Sequence, residues 1–244
     1  MSNSTAGVGR RAAYLDADSI PFVQEFSTEI RAALLASSVL KTLRKGERLN
    51  SAGDRLESLA IILGGMVELC GTETHADCGV LLLTRGDLIT PMAVLYEEPC
   101  LTSATALTRA RLLLVPRSTV VQLASEQPEV AMALARTMGA QWRMAVRHII
   151  DLKCRTAGER LAAFLLRLVD NEDHAKLPFS KGTLAARLGV APETLSRVIQ
   201  VVAANGIVLR GTQILVRDRA RAEKFCGPDL YSEANEVAQN VHAL

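Results

Sequence analysis

A carboxylate and a guanidinium lie one helical turn apart in the last third of the sequence. Glu193 and Arg197 are separated by four positions, so on a helix they share one face. A guanidinium can donate two hydrogen bonds to the edge of a guanine, and a carboxylate can accept one from the amine of a cytosine. The alternative is an ordinary surface ion pair between these two side chains. The secondary-structure elements around this face decide between base contacts and a surface ion pair.

The neighbouring sequence predicts those elements. A capped short helix over 180–189 ends at a glycine, and a second helix follows over 191–204. Gly189 permits the left-handed backbone needed for a tight turn between two helices. Two short β-segments, 207–210 and 213–216, flank a Gly-Thr pair as they would in a hairpin. This order predicts a winged helix-turn-helix, in which the second helix enters the major groove of DNA.

Charge is distributed unevenly along the chain. Residues 151–227 hold 13 basic and 8 acidic residues, whereas residues 1–150 hold 15 of each. Phosphate binding needs a local excess of this kind, whatever the net charge of the whole chain. Double-stranded DNA is therefore the expected partner of this segment. The predicted DNA-binding residues are Glu193, Thr194, Ser196, Arg197, Lys181, Thr183 and Arg210.

Earlier in the chain, the pattern predicts β-structure. Short apolar or alternating runs at 59–63, 66–70, 80–84 and 110–115 are separated by glycine-containing turns. Many short strands with glycine turns are typical of a sandwich or barrel. Residues 177–179 also read as strand-like. Because aromatic residues are only 4% of the chain, a stacking platform for single-stranded nucleic acid is not expected.

From about residue 128 the apolar period becomes helical. Apolar and small residues recur at alternating spacings of three and four, as in a coiled-coil seam about three heptads long. One interpretation is a dimerisation helix, and the other is an amphipathic helix packed on its own β-domain. Periodicity alone leaves both open. The predicted dimerisation residues are Leu134, Met138, Gln141, Ala145, His148 and Leu152.

Composition disfavours several other classes of protein. No apolar run approaches the roughly 18 residues of a membrane span, and residues 1–9 lack a signal-peptide pattern, so a cytoplasmic protein without a membrane partner is expected. The five cysteines are scattered and include no CxxC pair, which disfavours a disulfide framework and structural zinc. An enzyme with a metal site would need clustered His and Glu on adjacent strands. The β-rich half has one histidine, His75, so no enzyme is expected.

Most of the chain, from about residue 20 to 226, resembles the CRP/FNR superfamily of bacterial regulators. The most specific segment runs from Leu184 to Arg197, and its Glu-x-x-Ser-Arg form is similar to the FNR branch. The resemblance implies that Glu193, Ser196 and Arg197 read a palindrome with TTGAT-like half-sites. The other matching segments are Gly86-Asp-Leu-Ile89, Pro128-Glu-Val-Ala-Met132 and Glu159-Arg-Leu-Ala-Ala-Phe-Leu165.

The resemblance also implies an α+β architecture and a function. It places a cyclic-nucleotide-binding-type β-roll at 1–127, a dimerisation helix and hinge at 128–154, and a winged helix-turn-helix at 155–227. An acidic tail follows at 228–244. The implied protein is a homodimeric DNA-binding transcription regulator, with RNA polymerase as a further partner.

The effector site departs from the family pattern. Thr90-Pro91 stands where cyclic-AMP-binding members have a Gly-Glu pair, and Leu101-Thr102 stands where they have an Arg-Ser pair. A buried phosphate without a cationic partner is costly, so cyclic AMP is not expected. No cysteine precedes Cys70, so an N-terminal iron–sulfur cluster is not expected either. The residues predicted to line an effector pocket are Met92, Leu101, Thr102, Met138 and Trp142.

Several effectors stay open at this stage: haem, a small apolar ligand, thiol redox, or none. The Cys and His ligands of carbon-monoxide sensors are replaced here by Thr90 and Met92. His148 is the candidate metal ligand, with a structural histidine as the alternative. Cys100 and Cys154 are candidate redox switches, with inert thiols as the alternative. The remaining histidines are assigned no role: His75, His174 and His242.

Overall fold

The computed structural model describes residues 20–73, 76–169 and 172–227. Its backbone forms two compact units, here called unit 1 and unit 2. Unit 1 is Met1–Leu69 with Leu82–Trp142, and unit 2 is Cys70–Leu81 with Arg143–Leu244. Within the described ranges, no helix is both long and apolar enough to cross a membrane. Three sequence predictions concern residues outside those ranges: His75, His242 and the tail at 228–244.

Two four-stranded sheets, with the strand orders β1-β8-β3-β6 and β2-β7-β4-β5, precede α5. Their residues belong to unit 1, except for the parts of β4 and β5 within Cys70–Leu81, which belong to unit 2. The strands are β1 (Val39–Leu43), β2 (Arg48–Asn50), β3 (Ser58–Gly64), β4 (Val67–Glu73), β5 (Ala76–Leu83), β6 (Leu88–Ile89), β7 (Ser103–Ala106) and β8 (Ala110–Pro116). The helices are α1 (Pro21–Gln24), α2 (Thr28–Ala36), α3 (Pro91–Leu95), α4 (Arg117–Glu126) and the beginning of α5 (Pro128–Cys154). All four predicted β-runs form strands, and the predicted α+β architecture is confirmed.

The core of unit 1 lies between the first sheet and the helices. Leu59, Ile61 and Leu113 from β3 and β8 pack in one cluster with α2 and α4. Burying each such side chain contributes on the order of 1.5–3 kcal/mol. Phe22 and Phe26 meet edge to face, with ring centroids 5.1 Å apart. These contacts give the short helices a defined place on the sheet.

One side of α5 belongs to this core. Leu134 is buried in the same cluster as the sheet residues. Gln141 is buried too, and its Nε2 donates to the carbonyl oxygen of Leu88 at 2.7 Å. This placement corrects the prediction of Leu134 and Gln141 as dimer contacts. Because both side chains are buried within their own unit, they have little surface to offer a partner.

In the part of unit 2 that follows α5, the described residues form four helices and a three-stranded sheet of order β10-β11-β9. The helices that follow α5 are α6 (Ala157–Val169), α7 (Lys181–Leu188), α8 (Pro192–Ala204) and α9 (Arg219–Cys226). The strands are β9 (His174–Lys176), β10 (Ile207–Arg210) and β11 (Gln213–Val216). The helix-turn-helix and the hairpin thus have the bounds that the sequence predicts, to within one residue.

The third strand of unit 2 differs from the sequence prediction. A strand was expected at 177–179, but β9 ends at Lys176. Leu177 and Phe179 are instead buried. The ring of Phe179 stacks on Phe164 of α6, with centroids 6.0 Å apart. An apolar run of three residues is too short to show whether it pairs as a strand or only fills a core.

The junction between α5 and α6 is short and capped. The backbone N–H of Thr156 donates to Glu159 Oε2 at 2.7 Å, and the N–H of Glu159 donates to Thr156 Oγ1 at 3.3 Å. These reciprocal bonds form a capping box, which satisfies N–H groups that would otherwise lack partners at the start of α6. The start of α6 is therefore set by two local side chains.

A glycine at the end of α8 allows the chain to pass close to another backbone segment. Gly206 has a φ of +98°, and a Cβ placed there would lie 2.4 Å from the carbonyl oxygen of Asp218. Its own carbonyl oxygen accepts from the N–H of Arg217 at 2.7 Å. Any side chain at 206 would therefore combine backbone strain with a collision.

We expect Gly206→Ala to lower the free energy of unfolding by roughly 2–5 kcal/mol. The positive φ costs about 1–2 kcal/mol and overpacking about 1–3 kcal/mol. The matched control is Gly211→Ala, because Gly211 has a φ of +61° but open space around its Cβ position, so only the strain applies. Urea denaturation followed by circular dichroism measures both. Equal losses would show that the approach to Asp218 imposes no constraint.

Candidate nucleic-acid interface

The turn between α7 and α8 is held by backbone hydrogen bonds. Ser180 caps α7 by accepting from the N–H of Thr183 at 3.1 Å. At the other end, Gly189 adopts the left-handed conformation with φ 63° and ψ 37°. The N–H groups of Gly189 and Val190 then donate to carbonyl oxygens of the last turn of α7, each at 3.1 Å. The glycine thus ends one helix and turns the chain toward the next.

Helix α8 is anchored by one face and exposes the other. Leu195, Val198 and Val202 are buried, which fixes the rotation of the helix. The exposed residues of its first two turns include the four predicted base-contacting side chains: Glu193, Thr194, Ser196 and Arg197. The structure therefore brings together all four residues on the accessible N-terminal part of α8.

Glu193 and Arg197 are available for an external ligand. Among the residues that the structure describes, neither side chain takes part in an ion pair or a side-chain hydrogen bond. The alternative of a plain surface ion pair is therefore not what the structure adopts. An exposed carboxylate and guanidinium on one face leave both groups able to meet base edges.

The flanking predicted contacts lie on two elements, α7 and β10. Lys181 is exposed at the start of α7, and Arg210 is exposed at the end of β10. Thr183 is half-buried, and its hydroxyl lies 3.1 Å from Ser180 Oγ. Thr183 therefore has a capping contact already, whereas the two basic residues extend into solvent. All seven positions stay predictions as DNA contacts.

Comparison with known proteins agrees with this architecture. Residues 40–127 match a model of the cyclic nucleotide-binding domain, and residues 159–225 match a model of the Crp-like helix-turn-helix domain. The cyclic AMP receptor protein of Thermus thermophilus is 30% identical over 183 residues, which are 74% of this chain and 85% of the relative. The chain belongs to the CRP/FNR family. It is a DNA-binding transcription regulator.

One further relative and one solved structure are also similar to this CRP/FNR protein. The nitrogen fixation regulation protein FixK of Azorhizobium caulinodans is 33% identical over 133 residues, about half of each chain: 50% of this one and 54% of the relative. The structure of FixK2 from Bradyrhizobium japonicum superposes with a TM-score of 0.68 at 24% identity, covering 78% of this chain and 98% of that one. At this identity, the similarity to the FixK2 structure shows a shared fold only.

The outer face of α5 carries a seam that differs from the predicted one. Trp142 is 68% exposed, and Ile149 and Leu152 are exposed too. At three positions the exposed residue is the one that follows the predicted residue: Ala135 in place of Leu134, Trp142 in place of Gln141, and Ile149 in place of His148. The alternating spacing of four and three is kept. The exposed or half-buried seam consists of Ala131, Ala135, Met138, Trp142, Ala145, Ile149 and Leu152.

The predicted effector pocket is not enclosed within a single chain. Leu101 is 91% exposed, and Met92 and Trp142 are exposed as well. Thr102 and Met138 are half-buried. This placement corrects the expectation for Leu101, because a side chain almost fully in solvent lines no cavity of its own chain. For Trp142, its exposure fits the seam of α5 better.

Of the two candidate redox thiols, only Cys154 is accessible. Cys100 is buried, and burial raises the pKa of its thiol, which favours the unreactive protonated form. Its Sγ lies 3.9 Å from the hydroxyl of Thr90, whose backbone is left-handed with φ 45°. Cys154 is exposed at the end of α5.

His148 lies in a small polar recess of unit 2. The recess has a volume of about 50 Å³. Among the described residues, no three His, Cys, Asp or Glu side chains are grouped to hold a metal ion. His148 as a metal ligand stays a prediction, with a structural histidine as the alternative.

Sequence reasoning missed the arginines around this recess. Arg160 and Arg167 are seven residues apart on α6 and so share a face, and Arg187 comes from the last turn of α7. The seven-residue spacing of these two arginines on a predicted helix is the one sequence pattern that places them on a common face. Without the fold, nothing connects them to Arg187 or to Asp151.

We expect the stability of the protein to fall as the pH drops below about 6.5, with His148 contributing. Burial, and next the nearby Arg187, lower the pKa of His148 from its ordinary value of 6.5. The folded state then binds fewer protons than the unfolded state, so acid favours unfolding, by at most about 1.4 kcal/mol per pH unit for one proton. Urea denaturation between pH 7.5 and 5.5 measures this slope.

His148→Gln is expected to flatten that slope. His174→Gln is the control, because His174 is an exposed histidine on β9 of the same unit. If both variants keep the wild-type slope, His148 is not the group that titrates.

Proposed function

We propose that this regulator binds, as a homodimer, a palindromic operator with TTGAT-like half-sites. The exposed, unpaired Glu193–Arg197 face at the start of α8 carries this proposal. Arg197 would donate to a guanine edge, Glu193 would accept from a cytosine amine, and Ser196 would add a further polar contact. Lys181 and Arg210, exposed on neighbouring elements, would contact phosphates and set the register.

The seam on α5 supports the dimer. A stripe with heptad spacing that includes an exposed Trp142 is costly to leave in water, and a second copy of the same helix would cover it. A two-fold dimer places two α8 helices in successive major grooves, which requires a palindromic site. Activation or repression would act through RNA polymerase, the further partner that we infer.

The effector that we propose is not cyclic AMP. Residues 86–103 contain no Lys, Arg or His and carry three carboxylates: Asp87, Glu97 and Glu98. Arg117 reaches this segment, but it pairs with Glu97 at 2.7 Å and donates to the carbonyl oxygen of Val94 at 3.0 Å. A cyclic phosphate would therefore meet a segment whose own charge is negative.

Control by abundance or by oxidation of Cys154 is the alternative to a bound effector. The exposure of Cys154 favours it over Cys100, which is buried. Oxidation of Cys154 would add polar atoms to its side chain at the end of α5. It would thereby change the packing of the short segment between α5 and α6.

Arg197→Ala is expected to cost about 1–3 kcal/mol of specific binding and to relax the preference at one base pair per half-site. The measurement is fluorescence anisotropy with a TTGAT-type palindrome and with single-base variants of it. The control is Arg221→Ala, which removes an exposed arginine of α9. Unchanged affinity and unchanged base preference in the Arg197 variant would mean that α8 does not read the site.

Trp142→Asp is expected to weaken dimerisation by at least about 2 kcal/mol, or roughly thirtyfold, because central aromatic residues dominate such interfaces. Sedimentation equilibrium measures the dimer constant, and anisotropy measures the accompanying loss of palindrome binding. Val121→Asp is the control, since Val121 is also an exposed apolar residue but lies on α4 and is not one of the seam residues. A Trp142 variant that stays dimeric would place the interface elsewhere.

A further inference from the structure

The last turns of α5 belong to the same compact unit as the helix-turn-helix. Residues 143–154 of α5 lie in unit 2, together with α6, α7 and α8. Three residues of the seam, Ala145, Ile149 and Leu152, are on this part of the helix. The surface that we propose as the dimer contact therefore continues into the unit that carries the base-contacting helix.

One of these seam residues also touches the turn between α7 and α8. A Cβ placed on Gly189 would lie 3.4 Å from Cδ2 of Leu152, an ordinary van der Waals distance. Leu188, the residue before this glycine, is buried and lines the same recess as Met144 and His148 of α5. The turn that leads into α8 thus lies next to α5.

Arg160 of α6 fastens this turn to the end of α5. Its Nη1 donates to the carbonyl oxygen of Arg155, the first residue after α5, at 2.6 Å. Its Nη2 donates to the carbonyl oxygen of Leu188, the last residue of α7, at 2.8 Å. Hydrogen bonds from a charged donor are stronger than those between neutral groups. One guanidinium group therefore joins the beginning of the turn to the helix that carries the seam.

A firm connection at this point fixes the distance between the two α8 helices of a dimer. The seam sets the position of each α5, and the contacts of Leu152 and Arg160 set the position of the turn relative to α5. The step from the turn to the base-contacting face is short, because α8 begins at Pro192. The distance between two such helices determines the spacing of the half-sites that a dimer binds.

We propose that Arg160 is a positioning residue that determines which half-site spacing the protein binds. The proposal rests on the dimer and the palindrome proposed above. Arg160 contacts no base in it and acts by holding the turn before α8 to the end of α5. One extra base pair moves the half-sites apart by about 3.4 Å and rotates them by about 35°. A turn held by both hydrogen bonds resists this displacement, whereas a released turn follows it.

Fluorescence anisotropy with a series of palindromes tests the proposal. The TTGAT-type half-sites stay constant, the central spacer is lengthened in steps of one base pair, and a duplex with a single half-site is included. We expect the wild type to prefer one spacer over its neighbours by about tenfold or more. Arg160→Gln should weaken binding to that palindrome about tenfold and flatten the preference, because both charge-assisted hydrogen bonds are lost. Its affinity for the single half-site should stay unchanged, because the face of α8 is intact.

Arg160→Lys separates the position of the side chain from its charge. Lysine keeps the charge but has no planar fork that donates to both carbonyl groups, so the spacer preference should fall as in Arg160→Gln. It also carries the test if circular dichroism shows that Arg160→Gln does not fold. Arg221→Gln is the control: it removes a charge from the exposed surface of α9 and should keep the wild-type preference.

Three results would overturn the proposal while leaving the operator in place. They are a wild type that binds neighbouring spacers equally, an Arg160→Gln variant that keeps the wild-type preference, and a full preference in Arg160→Lys. Equal weakening on the palindrome and on the single half-site, in a folded variant, would also overturn it, because the residue would then only support the helix-turn-helix as a whole. A wild type that binds no TTGAT-type palindrome would instead contradict the proposed function itself.

Discussion

Gln141 decides which side of the long helix faces inward. Its buried side-chain amide donates to the carbonyl oxygen of Leu88, and Leu134 is buried two turns earlier on the same side. If this buried amide had no acceptor, its desolvation would destabilise the fold without compensation. Other rotations of α5 are therefore disfavoured. The rotation in turn determines which residues remain outside. The exposed tryptophan and its heptad neighbours occupy the adjacent stripe of the helix, which this burial leaves outside.

Helix α8 is also oriented by its buried side. Its buried side chains and the left-handed turn at Gly189 leave one orientation for its exposed face. Among the described residues, the side chains of Glu193 and Arg197 make no ion pair or hydrogen bond, so both charged groups can bind a ligand. In a family of DNA-binding regulators, a face with these two groups is most economically explained by base recognition.

Between these two helices, Arg160 joins backbone ends that would otherwise lack partners. The last carbonyl groups of a helix have no acceptor role within it, and a guanidinium is well suited to them because it also complements the helix dipole. Here one side chain serves the ends of α5 and α7 together.

Much of the DNA-binding motif follows from the sequence by itself. Ser180, Gly189, Pro192 and Gly206 mark the ends of helices through local backbone chemistry, and local chemistry is what a sequence displays directly. The residues that face outward on α8 follow from the period of its apolar positions. The strands β3 and β8 follow in the same way from short apolar runs between glycine turns.

Only the tertiary structure decided the register of α5 and the composition of the recess. The helix has apolar or small residues on two adjacent stripes, so its period fits either Leu134 or Ala135 as a seam position. The choice depends on the acceptor at Leu88, which is 53 residues away in the chain. Arg187 likewise meets the Phe164 ring, and shares a recess with Asp151, only after folding. Contacts between distant segments leave no periodic trace in a single sequence, because each partner satisfies its local pattern without the other.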